Sequence, residues 1–199
     1  MTGLLYTTDA YLREFDAGVV AYVEGGVILD QTAFYPGGGG QPCDFGTLTA
    51  GESVWPVTAA RKVDGRVVHT IDGEMPAVGT SVTGHLDWDR RYKLMRTHTA
   101  MHILCGVVFR DYGAQVTGGN MDPLQGRMDF EFETMHQDLV AAIEEAVNAE
   151  VAAARPVRVR ILPRDEAFRI PDLIRTKINL LPEGIEEVRT VELGGLDLQ

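Results

Sequence analysis

The sequence changes character at Asp87-Trp88-Asp89, and that change sets what the chain can fold into. Before it come short β-branched runs, GVVAYVEGGVILDQTAFYP, VTAARKVDGRVVHTID and VGTSVTGHLDW, punctuated by Gly25-Gly26, Asp64-Gly65, Asp72-Gly73 and Gly79. Asp64-Gly65 is a hairpin signal, because a two-residue turn of the favoured type needs positive φ at both positions. Several short strands at close spacing favour a small closed barrel, which leaves no strand edge exposed. After the change, DWDRRYKLMRTHTAMHILCGVVFRDYG predicts one long helix, with Asp87 or Asp89 as its cap and Gly113 as its stop. Residues 114–133 return to extended structure, where RMDFEFE sets Met128, Phe130 and Phe132 against Asp129, Glu131 and Glu133. A second helix follows in HQDLVAAIEEAVNAEVAAA, with Leu139, Ile143, Ala146 and Val147 on one face. PVRVRILPRDEA and EEVRTVELGGLDL supply two more strands. Strands and helices mix without a regular βαβ repeat, so the class is α+β. The expected layout is an N-terminal β-barrel over residues 1–88 and a mixed domain over 89–199, with an antiparallel sheet and two main helices.

Residues 33–42 read AFYPGGGGQP. Four glycines in a row carry a penalty, roughly 0.5–1 kcal/mol each relative to alanine in regular structure, so a bare backbone or a very tight path is needed there. A dinucleotide fingerprint fails because the sixth position from Gly37 is Pro42 and no helix follows. A P-loop fails because Gly-Lys-Ser/Thr is missing. What remains is a Pro36-Gly37 turn that serves either the structure alone or the close approach of a ligand.

With 199 residues, 45% of them hydrophobic, the chain can bury a real core. There is no apolar run approaching membrane-spanning length and no basic-then-apolar leader, so a soluble, cytoplasmic protein is expected. Two cysteines, Cys43 and Cys105, are too few for a disulfide framework. The net charge of −11 argues against a nucleic-acid partner, yet the bases are unevenly spread. Residues 90–110 hold Arg90, Arg91, Lys93, Arg96 and Arg110 without an acid, and residues 155–177 hold a second basic cluster. Each arginine on its own reads equally well as a solvated face.

The sharpest local constellation is Arg96-Thr97-His98-Thr99-Ala100-Met101-His102. His98 and His102 are four apart on the expected helix, so both imidazoles leave one face a turn apart, as two nitrogen ligands of one metal must. Two polar side chains at the edge of a core satisfy the same spacing. A zinc protease of the H-E-x-x-H kind is excluded, since Thr99 stands where its glutamate must be. Cys105 reads as a small core residue or as a further thiolate ligand.

AFYPGGGGQPCDFGTL, then RTHTAMHIL some fifty residues on, then LPRDEA and IRTKINLLPEGIEEVRTVELGGLDLQ, together resemble the AlaX family, free-standing relatives of the editing domain of alanyl-tRNA synthetase. The resemblance runs in order along nearly the whole chain. It implies an N-terminal barrel joined to an α/β editing domain, and hydrolysis of tRNA(Ala) mischarged with serine or glycine. It implies zinc, with His98 and His102 as its first two ligands and as the catalytic pair. It also implies a threonine on the strand after the first helix that faces the substrate side chain, for which Thr117 is the nearest candidate. Alongside the histidines, Gly37, Gly38, Gly39, Gly40 and Gln41 read as a substrate-binding loop. Such an editor is needed because a pocket built for alanine rejects serine or glycine by only about 1–3 kcal/mol. Family members complete the zinc site with a Cys-x-x-x-His motif directly after a segment like GGLDLQ. The sequence stops at Gln199, so a truncated chain with an incomplete metal site is expected. The alternatives are a non-catalytic tRNA- or protein-binding fragment of the same fold, and a metal hydrolase acting on another ester.

Overall fold

The computed structural model describes residues 2–171, 173–175 and 184–198. In chain order the elements are β1 (Gly3–Leu4), a 3-10 turn (Leu5–Thr7), β2 (Glu14–Val23), β3 (Gly26–Leu29), β4 (Gln31–Thr32), β5 (Gly46–Ala50), β6 (Ser53–Val63), β7 (Arg66–Ile71) and β8 (Ser81–Leu86). There follow α1 (Trp88–Tyr112), β9 (Val116–Asp122), β10 (Gln125–Phe130), α2 (Gln137–Ala152), β11 (Val157–Pro163), α3 (Arg164–Ala167), β12 (Glu187–Leu193) and β13 (Asp197–Leu198). The class is α+β. Two compact units divide the chain: Met1–Arg96 with Met121–Leu124, and Thr97–Asn120 with Gln125–Gln199.

In the first unit six strands close into a barrel in the order β2-β3-β7-β6-β5-β8, with β8 returning to pair β2 through Glu14↔His85 to Gly18↔Ser81. Phe15, Val19, Leu29, Phe34, Leu48 and Val57 fill it. The β6–β7 hairpin turns at Asp64 (φ 48) and Gly65 (φ 75), as the sequence predicts. Among the described residues β1 pairs with β4 in parallel, through Gly3↔Gln31 and Leu4↔Thr32.

His69, on β7, is fully buried. Thr32 Oγ1 accepts from Phe34 N and donates to His69 Nε2 (2.8 Å), which leaves Nδ1–H to donate to Val27 O (3.3 Å). Burial pushes the imidazole from 6.5 down to about 4, against a smaller opposing effect of the Val27 bond. An unfolded chain takes up this proton below pH 6.5 and the folded one does not, so stability falls between pH 6.5 and 4 by about 3 kcal/mol from this residue. Urea unfolding at pH 7 and pH 4 measures it: the loss is expected to shrink by that amount in His69→Gln, and an identical loss in both chains would refute it.

The glycine run is ordered by the same unit. Gly38 N donates to Gln41 O and Gln41 N to Gly38 O, both at 3.0 Å, across a tight turn at Gly39 and Gly40. All four glycines have positive φ (79°, 128°, 58° and 82° for Gly37 to Gly40), and this answers why side chains are missing there. Tyr35 OH donates to Gly38 O, and Gly40 O accepts from Met121 N. At the stem, Asp44 N donates to Tyr35 O and Tyr35 N to Asp44 Oδ2 (2.7 Å). Asp44 is in turn held by buried Arg91, whose Nε donates to both carboxylate oxygens while its Nη groups reach Ala10 O and Ala33 O.

In the second unit, β9 and β10 form a hairpin, β11-β12-β13 an antiparallel sheet, and α1 and α2 share apolar contacts through Val108 and Ile143. Asp87 Oδ1 caps α1 by accepting from Arg90 N, and Gly113 (φ 67) closes it by donating to Phe109 O. His136 caps α2, accepting from Leu139 N. Three sequence expectations shift. RMDFEFE stops being strand at Phe130; the strand expected over PVRVRILPRDEA ends at Pro163, where RDEA turns into α3; and EEVRTVELGGLDL is two strands bent at Gly194 and Gly195. Among the described residues no helix is long and apolar enough to cross a membrane.

Candidate active site

The second unit is built so that α1 carries His98 and His102 beside the short strand β13. The two imidazoles stack with centroids 4.9 Å apart and planes at 27°, so the four-residue spacing does bring them onto one face. β13 reaches α1 because position 106 is glycine: a Cβ there would lie 2.8 Å from Leu196 Cγ and 3.2 Å from Asp197 Cβ. The bend at Gly194-Gly195 then delivers Asp197, 1% exposed, to His102.

Asp197 Oδ2 accepts from His102 Nδ1 at 2.8 Å, and Asp197 Oδ1 accepts from Arg175 Nη1 at 2.6 Å. Arg175 is fixed by a further bond to Leu196 O and by its guanidinium lying 4.7 Å from the Phe109 ring centroid. A carboxylate can only accept, so His102 carries a proton on Nδ1, and Nε2 is the nitrogen left to face a metal. A metal-binding histidine is ordinarily held in this way by an outer carboxylate. His98 is driven to about 4 by burial first, then by His102 and Arg189, and is therefore neutral at pH 7. A buried neutral imidazole and a second one oriented by a carboxylate suit a divalent zinc as nitrogen donors. Among the described residues no group of three His, Cys, Asp or Glu is arranged to hold a metal ion. Cys105 is buried at 2% exposure, in keeping with its reading as a core residue.

Thr117 is exposed on β9, in a hairpin that approaches α1 where Gly126 meets Met101 and Thr97, the residues just before each histidine. Gly37, Gly38, Gly39, Gly40 and Gln41 form the latched loop of the first unit. Lys177 of the second basic cluster and Gln199 of the GGLDLQ segment lie outside the described residues. Asp197 and Arg175 are site residues that pattern reasoning passes over. The available signal was a lone acid set between two leucines, Leu196-Asp197-Leu198, where a buried charge must have a partner.

Residues 7–90 match the family model for class II (A) tRNA synthetases. The chain is 37% identical over 206 residues to the alanyl-tRNA editing protein AlaX-M of Methanosarcina barkeri, covering all of this chain and 85% of that one. It is 40% identical over 203 residues to AlaX-M of Saccharolobus solfataricus, covering all of this chain and 84% of the relative. It is also 39% identical over 194 residues to the alanine–tRNA ligase of Pyrobaculum aerophilum, covering 96% of this chain and 22% of the ligase.

Proposed function

The chain belongs to the AlaX family, and from that membership we propose that it edits mischarged tRNA(Ala) by hydrolysing the aminoacyl ester, with serine, and secondarily glycine, as the amino acid removed. The observation that carries the reading is the His98–His102 pair with His102 held by Asp197 and Asp197 by Arg175. His98 and His102 would hold zinc, which when bound polarises the ester carbonyl as a Lewis acid. The rest is the work of the chain's own groups. Asp197 keeps the His102 proton on Nδ1 and the ring in position. Arg175 holds Asp197 in place through Oδ1 and keeps Oδ2 aimed at His102. Burial keeps His98 neutral, so no proton has to leave it before it can donate its lone pair. Thr117 supplies a hydroxyl that can hydrogen-bond a serine side chain, and the loop of Gly37, Gly38, Gly39, Gly40 and Gln41 meets the substrate with the backbone of its tip, Gly38 and Gln41 being bonded to each other across the turn. In this arrangement residues 89–199 carry the editing chemistry and residues 1–88 the glycine loop.

The test is release of serine from seryl-tRNA(Ala) against release of alanine from alanyl-tRNA(Ala), in zinc-containing buffer. Faster serine release is expected, and equal rates, or none above the blank, would overturn the proposal. The shortage of a third ligand among the described residues favours one other reading, a tRNA-binding module without hydrolysis; it is recognised by salt-sensitive tRNA binding with serine left attached.

Asp197 gives an independent measurement. Asp197→Asn is expected to weaken zinc binding by about 10- to 100-fold in competition with a chelating dye, as loss of an outer carboxylate does. An unchanged zinc affinity would remove Asp197 from this role.

A further inference from the structure

Outside the histidine site, the first unit displays a group of aromatic rings that its barrel core does not use. Trp88 and Tyr92, one turn apart on α1, stack with centroids 5.8 Å apart at 23°, and Tyr11 lies against the same indole at 5.8 Å. Tyr11 is 62% exposed and Tyr92 44%. The Arg13 guanidinium sits 4.4 Å from the Trp88 ring centroid, and Arg90 4.1 Å from that of Phe45, which is itself exposed.

We propose that Tyr11, Trp88 and Tyr92, with Arg13, form a stacking platform for unpaired nucleotides of the substrate RNA. Bases stack on aromatic faces whatever their identity, and an arginine beside the rings meets the phosphate that follows. Of the nearby acids, Asp9 accepts from Tyr11 N at 2.8 Å, Asp87 caps α1, Asp89 pairs with Lys93 at 2.5 Å, and Glu14 pairs with His85 at 3.0 Å. Among the described residues Arg13 forms no ion pair, so its charge is available. Arg90, Lys93 and Arg96 continue along the helix with no acid between Asp89 and Asp111. The exposed rings of Tyr11 and Tyr92 accept only bases free of a duplex, which singles out the unpaired end of a tRNA over its paired stems. The proposal rests on the editing reading for the identity of the RNA and on the rings for its place.

The test uses Trp88 as the reporter in a Trp55→Phe background, since these are the chain's two tryptophans. The probes are uncharged tRNA(Ala), a single-stranded RNA of its 3′-terminal sequence, and a blunt RNA duplex. The single strand and the tRNA are expected to quench Trp88 and the duplex to leave it unchanged. Tyr92→Ala and Tyr11→Ala are expected to weaken single-strand binding by about 5- to 150-fold for each stacked base lost. Arg13→Gln is expected to lower the slope of log affinity against log salt by about 1, and it serves alone if circular dichroism shows the tyrosine variants unfolded. Binding without quenching, quenching by the duplex, or affinities and salt slopes equal to the parent's would overturn the platform. Normal serine release with those negative results leaves the editing reading standing. Quenching by the single strand without any serine release sinks the editing reading and keeps the platform.

Discussion

Replacing His98 and His102 together with alanine is expected to lower serine release from seryl-tRNA(Ala) by about 10³-fold, the scale of the several kcal/mol that a metal Lewis acid contributes. The fold is expected to survive. Both rings are partly exposed, and His98, held near 4 by burial, contributes no charge at pH 7. Losing His102 does not strand the buried Asp197, because its bond from Arg175 at 2.6 Å remains. Far-ultraviolet circular dichroism is therefore expected to match the parent while catalysis disappears. Residues that act as one unit are not additive, so each single variant is expected to lose nearly as much as the pair. A double variant that still hydrolyses within threefold of the parent would take the histidines out of the chemistry.

The second large effect concerns stability. Asp44→Ala is expected to cost about 3–5 kcal/mol, because it leaves the Arg91 guanidinium buried without its counter-charge. Arg91 is 3% exposed and Asp44 1%, so neither charge can be recovered by water. The same carboxylate receives Tyr35 N, so its loss also opens the stem of the glycine loop. The paired variant Asp44→Leu/Arg91→Met separates the two contributions. Removing both charges relieves the desolvation penalty and is expected to recover part of the loss. The remainder belongs to Ala10 O, Ala33 O and Tyr35 N, which lose their partners. Urea unfolding reads both chains, and a loss below 1 kcal/mol for Asp44→Ala would show that the pair is not what holds this region.

What the sequence made legible was local. The Asp64-Gly65 turn, the span and caps of α1, the shared face of His98 and His102 and the apolar stripe of α2 all depend on residues within a turn or two of each other. The errors arose where alternation continued past a breaker. Pro163 ended β11 and let RDEA close on itself, with Phe168 N donating to Arg164 O, and the Gly194-Gly195 bend divided one expected strand in two. The partners of the site were out of reach for another reason. His102 and Asp197 are 95 residues apart, and Arg91 and Asp44 are 47 apart, so no periodicity links them. Gly106 reads as an ordinary weak point in a helix until Leu196 is found against it.

Between Pro36 and Gln41 the chain runs through four consecutive residues with no stereocentre, all carrying the dihedral sign that belongs to the opposite hand. At Gly38, whose φ of 128° no L side chain adopts comfortably, that hand is compulsory; at Gly39, with φ 58° and open space where a Cβ would stand, it is only preferred. A surface of this kind has no side chain with which to choose what meets it. Whatever rests on these four peptides is recognised by the direction of N–H and C=O bonds alone, and selection by chemical type passes to the flanks, to Tyr35 and Pro36 on one side and Gln41 on the other.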